Sequence, residues 1–293
     1  MDFIPKDKIL ELSPETFNTI RKEINLEKPG EMKEAVNILK EWIQQQPHIK
    51  KKDFTDHFIE TTIVTAKGSV ERAKKQIDSA CTMRTLLPHF FGVTDLKKDF
   101  ENIHNIGCAL VMPKVNKDNH RIFVLKDTAR KSSLSVLLTQ NYQCILDIRS
   151  ANISDLVMNM NPMELRQALT LVDCYGLRIK GIHIVTPSKL VDTLIAILKS
   201  LLKPKMIQRL EHHSNCDSLV KLIGKEYLPE DLGGTQPSTK QIRGMYSILY
   251  SPEFRDYICN MNKACTDESC RPRDRFNDEY AGMPGTFRIL SVD

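Results

Sequence analysis

The sequence predicts an α/β protein, in which an all-helical N-terminal domain precedes a domain built on a mostly parallel sheet. Apolar residues recur at helical spacing through the N-terminal third, whereas after about Gly92 short runs rich in β-branched residues alternate with helical segments. A chain of 293 residues with 41% hydrophobic residues can bury a large core, in one large domain or in two. We place the helical domain at residues 1–91 and the α/β domain at 92–236, and expect a C-terminal helix and tail, 237–293, to pack on the latter.

Helix starts and stops divide the N-terminal domain. Ser13 followed by Pro14 is typical of a helix start, and Pro47 ends the second helix. Trp42, the only tryptophan, lies on the apolar face of that second helix, and we interpret it as a core anchor between helices. The predicted helices cover residues 13–27, 31–46, 53–64 and 70–87.

Three runs of β-forming residues follow, at residues 121–125, 144–148 and 181–185, and we predict a strand at each. Parallel strands need a crossover of about a dozen residues or more, which is usually helical. Residues 126–143 meet that minimum only narrowly. Further helices are predicted at residues 161–174, where Asn161 is the cap, and at 239–262.

The stretch from Leu177 to Gly234 organises the rest of the chain. Its first ten residues form a predicted buried strand, which Pro187 ends. Residues 190–202 then carry an unusually wide apolar face at helical spacing, until Pro204 breaks the run. The closing Leu-Pro-x-x-x-Gly-Gly segment predicts a tight return of the backbone, because glycine permits conformations that other residues avoid.

Several short motifs occur in a specific order along the chain. The central ones are Lys180-Gly-Ile-His-Ile with Pro187 after it, Lys205-x-x-x-Arg209, and Leu228-Pro-x-x-x-Gly-Gly. Others are Glu71-Arg-Ala-Lys, the segment 83–91, Ile145-Leu-Asp-Ile and the segment 285–293. This order resembles the CRAL-TRIO family, which includes the retinaldehyde-binding and α-tocopherol transfer proteins, and the last segment resembles the tail of insect members. The resemblance implies a CRAL-TRIO-N-like helical domain and an α/β domain that encloses an apolar lipid cavity under a movable helix.

The chain departs from the family pattern at two places. Family members usually carry an arginine-containing segment before the Glu-Arg-Ala helix, where this chain has His57-Phe58-Ile59-Glu60. They also have a longer, two-part helical connection as a wall of the cavity, for which only residues 132–139 could serve here. The cavity could therefore be more open, differently shaped, or closed by other residues.

The apolar helix 190–202 has two interpretations, an ordinary core helix on the sheet and a movable lid over a lipid cavity. Fully burying one Leu or Ile stabilises by roughly 1.5–3 kcal/mol, so exposing half of eight such residues to water would cost on the order of 5–10 kcal/mol. Opening against a bilayer is cheaper, because acyl chains replace the lost contacts. The resemblance favours the lid, and a lid of this composition predicts ligand exchange at membranes.

Four basic residues are candidates for membrane docking: Arg178, Lys180, Lys205 and Arg209. The first pair lies two apart on a strand and the second pair four apart on a helix, so each pair projects to one side. Solvated charges at the ends of elements are the alternative. The resemblance implies a phosphoinositide-binding patch, since these positions match the basic residues that bind phosphoinositide phosphates in the α-tocopherol transfer protein.

The ligand-binding candidates come from family position and apolar character, although core packing at each is an alternative. They are Tyr142, Leu171, Tyr175, Ile179 and Ile182 from the domain body, and Leu194, Ile197, Leu198 and Leu201 from the lid. Either Tyr175 or Thr170 could give a hydrogen bond to a polar head group.

Catalytic and metal-binding motifs are absent from the sequence: no nucleophile elbow, phosphate loop, dinucleotide fingerprint or zinc-protease motif occurs. His212, His213 and Cys216 could ligate a metal, but their spacing fits no zinc pattern, so we assign them surface or capping roles. We expect no cofactor, no metal site and no enzymatic activity.

Composition excludes other classes. The longest apolar stretch is too short to span a bilayer, the first residues lack a signal-peptide pattern, and the eight scattered cysteines suit free thiols in a reducing compartment. A net charge of +5 does not indicate a nucleic-acid binder. We expect a cytoplasmic, monomeric carrier that binds and transfers a tocopherol, retinoid, carotenoid, other isoprenoid or phospholipid and associates peripherally with anionic membranes. The alternative is a membrane-recruited interaction module without a working cavity.

Overall fold

A five-stranded sheet forms the centre of the α/β part. The computed structural model describes residues 11, 14–92, 107–127 and 141–271. The strands lie side by side in chain order, with the first pair antiparallel and the others parallel. They are β1 (Gly107–Val115), β2 (Arg121–Asp127), β3 (Asn141–Asp147), β4 (Arg178–Val185) and β5 (Leu210–His213). The predicted α/β class with a mostly parallel sheet is thus confirmed. Residues 132–139, which could serve as the helical connection, lie outside the described residues.

The N-terminal part is helical, as predicted. Its helices are α1 (Pro14–Glu23), α2 (Glu31–Gln45), α3 (Asp56–Thr65) and α4 (Val70–Leu86). The hydroxyls of Thr55 and Ser69 accept hydrogen bonds from the backbone N–H groups of Phe58 and Arg72, in the first turns of α3 and α4, which explains where these helices begin. Fully buried aliphatic side chains of α2 and α3 form the core, and Trp42 packs against this core as a half-buried side chain.

Helices cover both faces of the sheet. They are α5 (Ile153–Asn159), α6 (Pro162–Cys174), α7 (Val191–Leu201), the single turn α8 (Pro204–Ile207) and α9 (Cys216–Ile223). Asn161 caps α6 as predicted, since its side chain accepts hydrogen bonds from the first backbone amides. One sheet face packs on α9 through Ile145 and Val185, and the opposite face packs on α5 and α7 through Leu146 and Ile184. The alternation of side chains along the strands produces these two layers.

The turn after α9 closes as the glycine pair predicted. Gly233 has a φ angle of +83°, a conformation that favours glycine. A Cβ atom on Gly234 would lie 1.9 Å from the carbonyl oxygen of Leu228. The close backbone approach therefore requires glycine at that position.

The C-terminal segment divides between the two parts of the molecule. Helix α10 (Ser238–Leu249) lies against β1, whereas α11 (Pro252–Met261) leads back to the N-terminal helices. Met261 and Ala264 belong to the core of the helical domain, and Thr266 forms a β-bridge with Ile49. The tail predicted from residues 285–293 lies outside the described residues.

Arg271 links the segment after α11 to helix α4 through hydrogen bonds and an ion pair. Its guanidinium donates to Asp78 Oδ2 at 2.9 Å, to Thr82 Oγ1 at 2.8 Å and to Glu268 Oε2 at 2.5 Å. The side chain is only 6% exposed, so these bonds compensate a nearly buried charge. The segment that follows α11 is thus part of the helical domain's structure.

Candidate functional site

Helix α7, the predicted lid, lies along one face of the sheet with its apolar side inward. It leaves the carboxyl end of β4 and must return towards the amino end, because the parallel strand β5 follows it. Val191 and Leu194 are buried, whereas Asp192, Thr193 and Lys199 are exposed. The apolar spacing read from the sequence therefore describes an inward face, and the outer face is polar.

The first half of α7 packs on protein. Val191 and Leu194 form one cluster with Ile184 of β4, Ile148 after β3 and Ile153 of α5. Leu194 is 3% exposed, as expected for ordinary core packing. This half of the helix matches the core-helix interpretation.

The second half of α7 lies over a different part of the sheet. Because α7 runs antiparallel to β4, its last turns approach the amino-terminal half of that strand. A row of three side chains crosses the sheet there, since Phe123 pairs with Cys144 and Cys144 pairs with Ile182. By the strand alternation these three side chains point to the same face as Leu146 and Ile184, the face that α7 covers. Phe123 and Cys144 were not among the residues predicted from the sequence, although the alternation in β2 and β3 carries that signal.

Cys144 occupies an unusual position in this row. Its side chain retains accessible surface, unlike those of Phe123 and Ile182. It is nevertheless surrounded by protein, and this burial raises the pKa of its thiol to about 12. Among the three residues of the row, Cys144 is therefore the least covered by its neighbours.

The predicted ligand contacts fall into separate groups. Tyr142 and Ile179 are paired neighbours on β3 and β4, close to the row described above. Leu171 packs with Met83 and Leu87, and Tyr175 lies under the guanidinium of Arg84, so these two contact α4. Leu198 packs partly with the first half of the lid, and Ile197 and Leu201 are half-buried. Thr170 donates its hydroxyl to a backbone carbonyl within its own helix.

A small cavity of about 40 Å³ lies where α6 ends against the helical domain. Its walls include Phe58, Thr65 and Gln76 from the helical domain, with Tyr175 and Leu177 from the α/β domain. A volume of 40 Å³ is far below the roughly 300–1,000 Å³ of ligand pockets, so this cavity cannot hold a lipid.

A cluster of positive charge surrounds Lys180 at the amino end of β4. Burial lowers the pKa of Lys180, and the nearby charges of Arg209, Arg178 and Lys67 lower it further. Burial together with Lys180 also lowers the pKa of His120. The carboxylate of Glu23 offsets part of this repulsion, and a bound anion would offset more of it.

The members of this cluster have different roles. Arg178 donates to the carbonyl oxygens of Thr65 and Val64, at 2.7 and 3.4 Å, and so joins β4 to the end of α3. Arg209 donates to the carbonyl oxygen of Ile179. Lys205 is exposed on α8, and among the described residues no side chain forms a hydrogen bond or ion pair with Lys180. Lys67, in the turn between α3 and α4, is a contribution from the helical domain that the sequence interpretation missed.

A string of hydrogen bonds crosses the face of the sheet that is opposite to α7. Gln143 Oε1 lies 2.8 Å from His183 Nε2, His183 Nδ1 lies 3.1 Å from His213 Nε2, and His213 Nδ1 lies 2.8 Å from Ser218 Oγ. Burial lowers the pKa of His183 to about 4, so its ring is neutral at pH 7. With Nε2–H donating to Gln143, His183 Nδ1 accepts from His213, and His213 Nδ1 accepts from Ser218. A Cβ atom on Gly181 would lie 1.9 Å from Gln143 Oε1 and 2.5 Å from His183 Nε2, so a larger residue there would disturb this hydrogen bond.

His212 does not join the string, although the sequence interpretation grouped it with His213 and Cys216. Its side chain lies on the other face of the sheet, where Nε2 is 2.9 Å from the carbonyl oxygen of Thr186. Arg149 donates to Cys216 Sγ at 3.2 Å. The partner of His213 is thus His183, thirty residues earlier in the chain.

Comparison with known proteins agrees with this architecture. Residues 114–234 match the CRAL/TRIO domain, and residues 28–100 match a model described as "Pinta-like, UBA domain". Residues 114–234 are thus assigned to the CRAL/TRIO domain family. This domain family comprises lipid-binding and lipid-transfer proteins, and the match confirms the resemblance read from the motifs.

Curated relatives are similar over most of the chain. Clavesin-1 of Xenopus laevis is 25% identical over 269 residues, covering 84% of this chain and 80% of the relative. Clavesin-2 of Homo sapiens is 26% identical over 253 residues, covering 77% and 76%. The solved structure entitled "Crystal structure of Sfh5" matches with a TM-score of 0.41 and 10% identity, over 82% of this chain and 98% of that one. Among the described residues, every helix is too short or too polar to cross a membrane.

Proposed function

We propose that this protein binds one small hydrophobic lipid, of the tocopherol, retinoid, carotenoid or other isoprenoid class, and transfers it between membranes. The lipid lies between the second half of α7 and the row formed by Phe123, Cys144 and Ile182. Ile197 and Leu201 cover it from the lid. The single observation that supports this position most strongly is Cys144, whose side chain retains accessible surface although burial raises the pKa of its thiol.

Membrane docking is the second part of the proposal. The charge cluster around Lys180 lies at the amino end of β4, towards which the second half of α7 also points. An anionic surface, including one that bears phosphoinositides, would relieve the repulsion within the cluster. The same contact would place the last turns of α7 beside acyl chains, which replace the contacts that the helix loses when it opens. We therefore propose peripheral association of a cytoplasmic protein.

Release of the lipid through movement of α7 is testable with a variant that loosens the helix. In Leu198→Ala, the lid loses part of its apolar contact with the first-half cluster, about 1.5 kcal/mol for this half-buried side chain. We expect transfer of a fluorescent retinoid or tocopherol from loaded protein to anionic acceptor vesicles to become about tenfold faster. Lys199→Ala, on the exposed face of the same helix, is the matched control and should transfer at the wild-type rate. Equal rates for Leu198→Ala and wild type would contradict a lid that opens.

The second candidate function is a membrane-recruited interaction module without a working cavity. The packing of Val191 and Leu194 onto the sheet and α5 favours it, because that half of α7 covers protein and no ligand. A module would still bind anionic vesicles through the Lys180 cluster. It would neither take up nor transfer a lipid, so the transfer assay separates the two functions.

A further inference from the structure

Three side chains of β4 and β5 offer metal ligands at one point of the sheet. His183 and Glu211 are paired neighbours, and His213 lies two residues beyond Glu211, on the same face of β5. His183 Nδ1 lies 3.1 Å from His213 Nε2, and Glu211 Oε2 lies 4.0 Å from that same nitrogen. All three ligand atoms lie within 4.8 Å of one another.

These separations are close to those around a tetrahedral ion. With zinc–nitrogen bonds of about 2.0–2.1 Å, two imidazole nitrogens on one ion lie roughly 3.3 Å apart. The two histidine nitrogens are within a few tenths of an ångström of that spacing. Both imidazole rings are buried. The Glu211 side chain is 53% exposed, so rotation about its side-chain bonds can bring its carboxylate closer to the two nitrogens.

The outer nitrogen of each ring also has the partner that a metal-bound histidine requires. Metal-ligating histidines donate the other ring N–H to an acceptor, which fixes the tautomer. His183 Nε2 already donates to Gln143 Oε1. His213 needs only to transfer its proton from Nε2 to Nδ1, which then donates to Ser218 Oγ while the hydroxyl rotates. Only the Glu211 side chain would have to rotate, and the ion would replace the hydrogen bond between His183 and His213.

We propose that His183, His213 and Glu211 bind a divalent transition-metal ion of the zinc class, with solvent as the fourth ligand. Two imidazoles and one carboxylate are typical ligands of Zn²⁺. The ion fastens β5, an edge strand of four residues, to β4, and through Ser218 it orients the start of α9. The site lies on the sheet face opposite α7, so it is separate from the proposed lipid site and goes beyond the proposed function.

The test is titration of the full chain with Zn²⁺ by calorimetry, and with Co²⁺ by absorption. We expect one Zn²⁺ per chain, and a Co²⁺ spectrum of a tetrahedral nitrogen and oxygen site without the intense near-ultraviolet band of thiolate ligands. Glu211→Gln and His213→Ala should each weaken Zn²⁺ binding at least tenfold. His212→Ala, on the other face of the same strand, is the matched control and should bind as wild type does. At the same Zn²⁺ concentration, the melting temperature should rise more for wild type than for Glu211→Gln.

Several results would overturn the proposal. A wild-type chain that binds no Zn²⁺ would do so directly. Because the chain has eight cysteines, binding with a thiolate band that persists in Glu211→Gln and His213→Ala would assign the ion to cysteines instead. The Glu211→Gln variant keeps the test decisive even if His213→Ala fails to fold, because its half-exposed side chain is not part of the core.

Discussion

Replacing Lys67 and Lys180 together by glutamate will weaken binding to anionic vesicles by roughly 30- to 1,000-fold. Each lysine near an anionic surface contributes about 1 kcal/mol, and reversal converts part of that attraction into repulsion, for a total of about 2–4 kcal/mol. These two lysines are chosen because Arg178 and Arg209 donate to backbone carbonyls and support the fold. The measurement is co-sedimentation with vesicles with and without phosphoinositide, at two salt concentrations.

The control for this experiment reverses two exposed lysines elsewhere, Lys221 and Lys225, which changes net charge equally. Its binding should fall far less than that of the cluster variant, because long-range charge is screened within about 8 Å at physiological salt. Lys205→Glu alone tests whether α8 belongs to the docking surface, as the family resemblance implies. Equal loss in the control and in the cluster variant would contradict a localised docking surface.

Replacing Arg271 by alanine will destabilise the protein by about 2–3 kcal/mol. Removing one partner of a buried ion pair leaves the others uncompensated, which typically costs about 3–5 kcal/mol. Asp78 and Glu268 keep 29% and 34% of their side-chain surface exposed, so water offsets part of that cost. Equilibrium unfolding in denaturant measures the change, and Lys263→Ala, an exposed position in the same segment, should alter it by less than about 0.5 kcal/mol.

The ion pair between Arg271 and Glu268 predicts how the stability difference between wild type and Arg271→Ala depends on pH. Burial alone would raise the pKa of Glu268, but hydrogen bonds from Arg271 and Thr266 lower it below its usual range. The ionised carboxylate therefore contributes stability above its unfolded pKa of about 4.3, and that contribution is lost as pH falls through the lower folded value. Unfolding curves of wild type and Arg271→Ala should accordingly converge towards acid pH. A pH-independent difference would show that Arg271 acts through packing alone.

Local pattern was enough to predict the elements that shape the site. The spacing from Val191 to Leu201 placed a helix with one apolar face, and Asn161 marked the start of α6. Both depend on residues a few positions apart, which determine amphipathicity and capping. Pattern could not show that Val191 and Leu194 are buried in the core while Ile197 and Leu201 are only half-buried, because both halves of α7 have the same spacing.

The sequence interpretation also could not predict contacts between residues that are far apart in the chain. Arg178 was predicted to bind phosphate, but a basic residue at a strand end serves equally well to hold carbonyl groups of another helix. His213 was grouped with His212 by adjacency, although alternation along a strand sends neighbouring side chains to opposite faces. Its partner His183 is set by which strands pair, and that is decided by the fold as a whole.

The central claim is that a lipid occupies the space between the second half of α7 and the row at Cys144. The direct measurement is organic extraction of the full chain purified from cells, followed by mass spectrometry, with uptake from loaded vesicles as a second arm. We expect one hydrophobic molecule per chain, and its presence should slow alkylation of Cys144 in the folded protein. A clean extract, no uptake and an unchanged alkylation rate would contradict the account and leave the interaction module as the function.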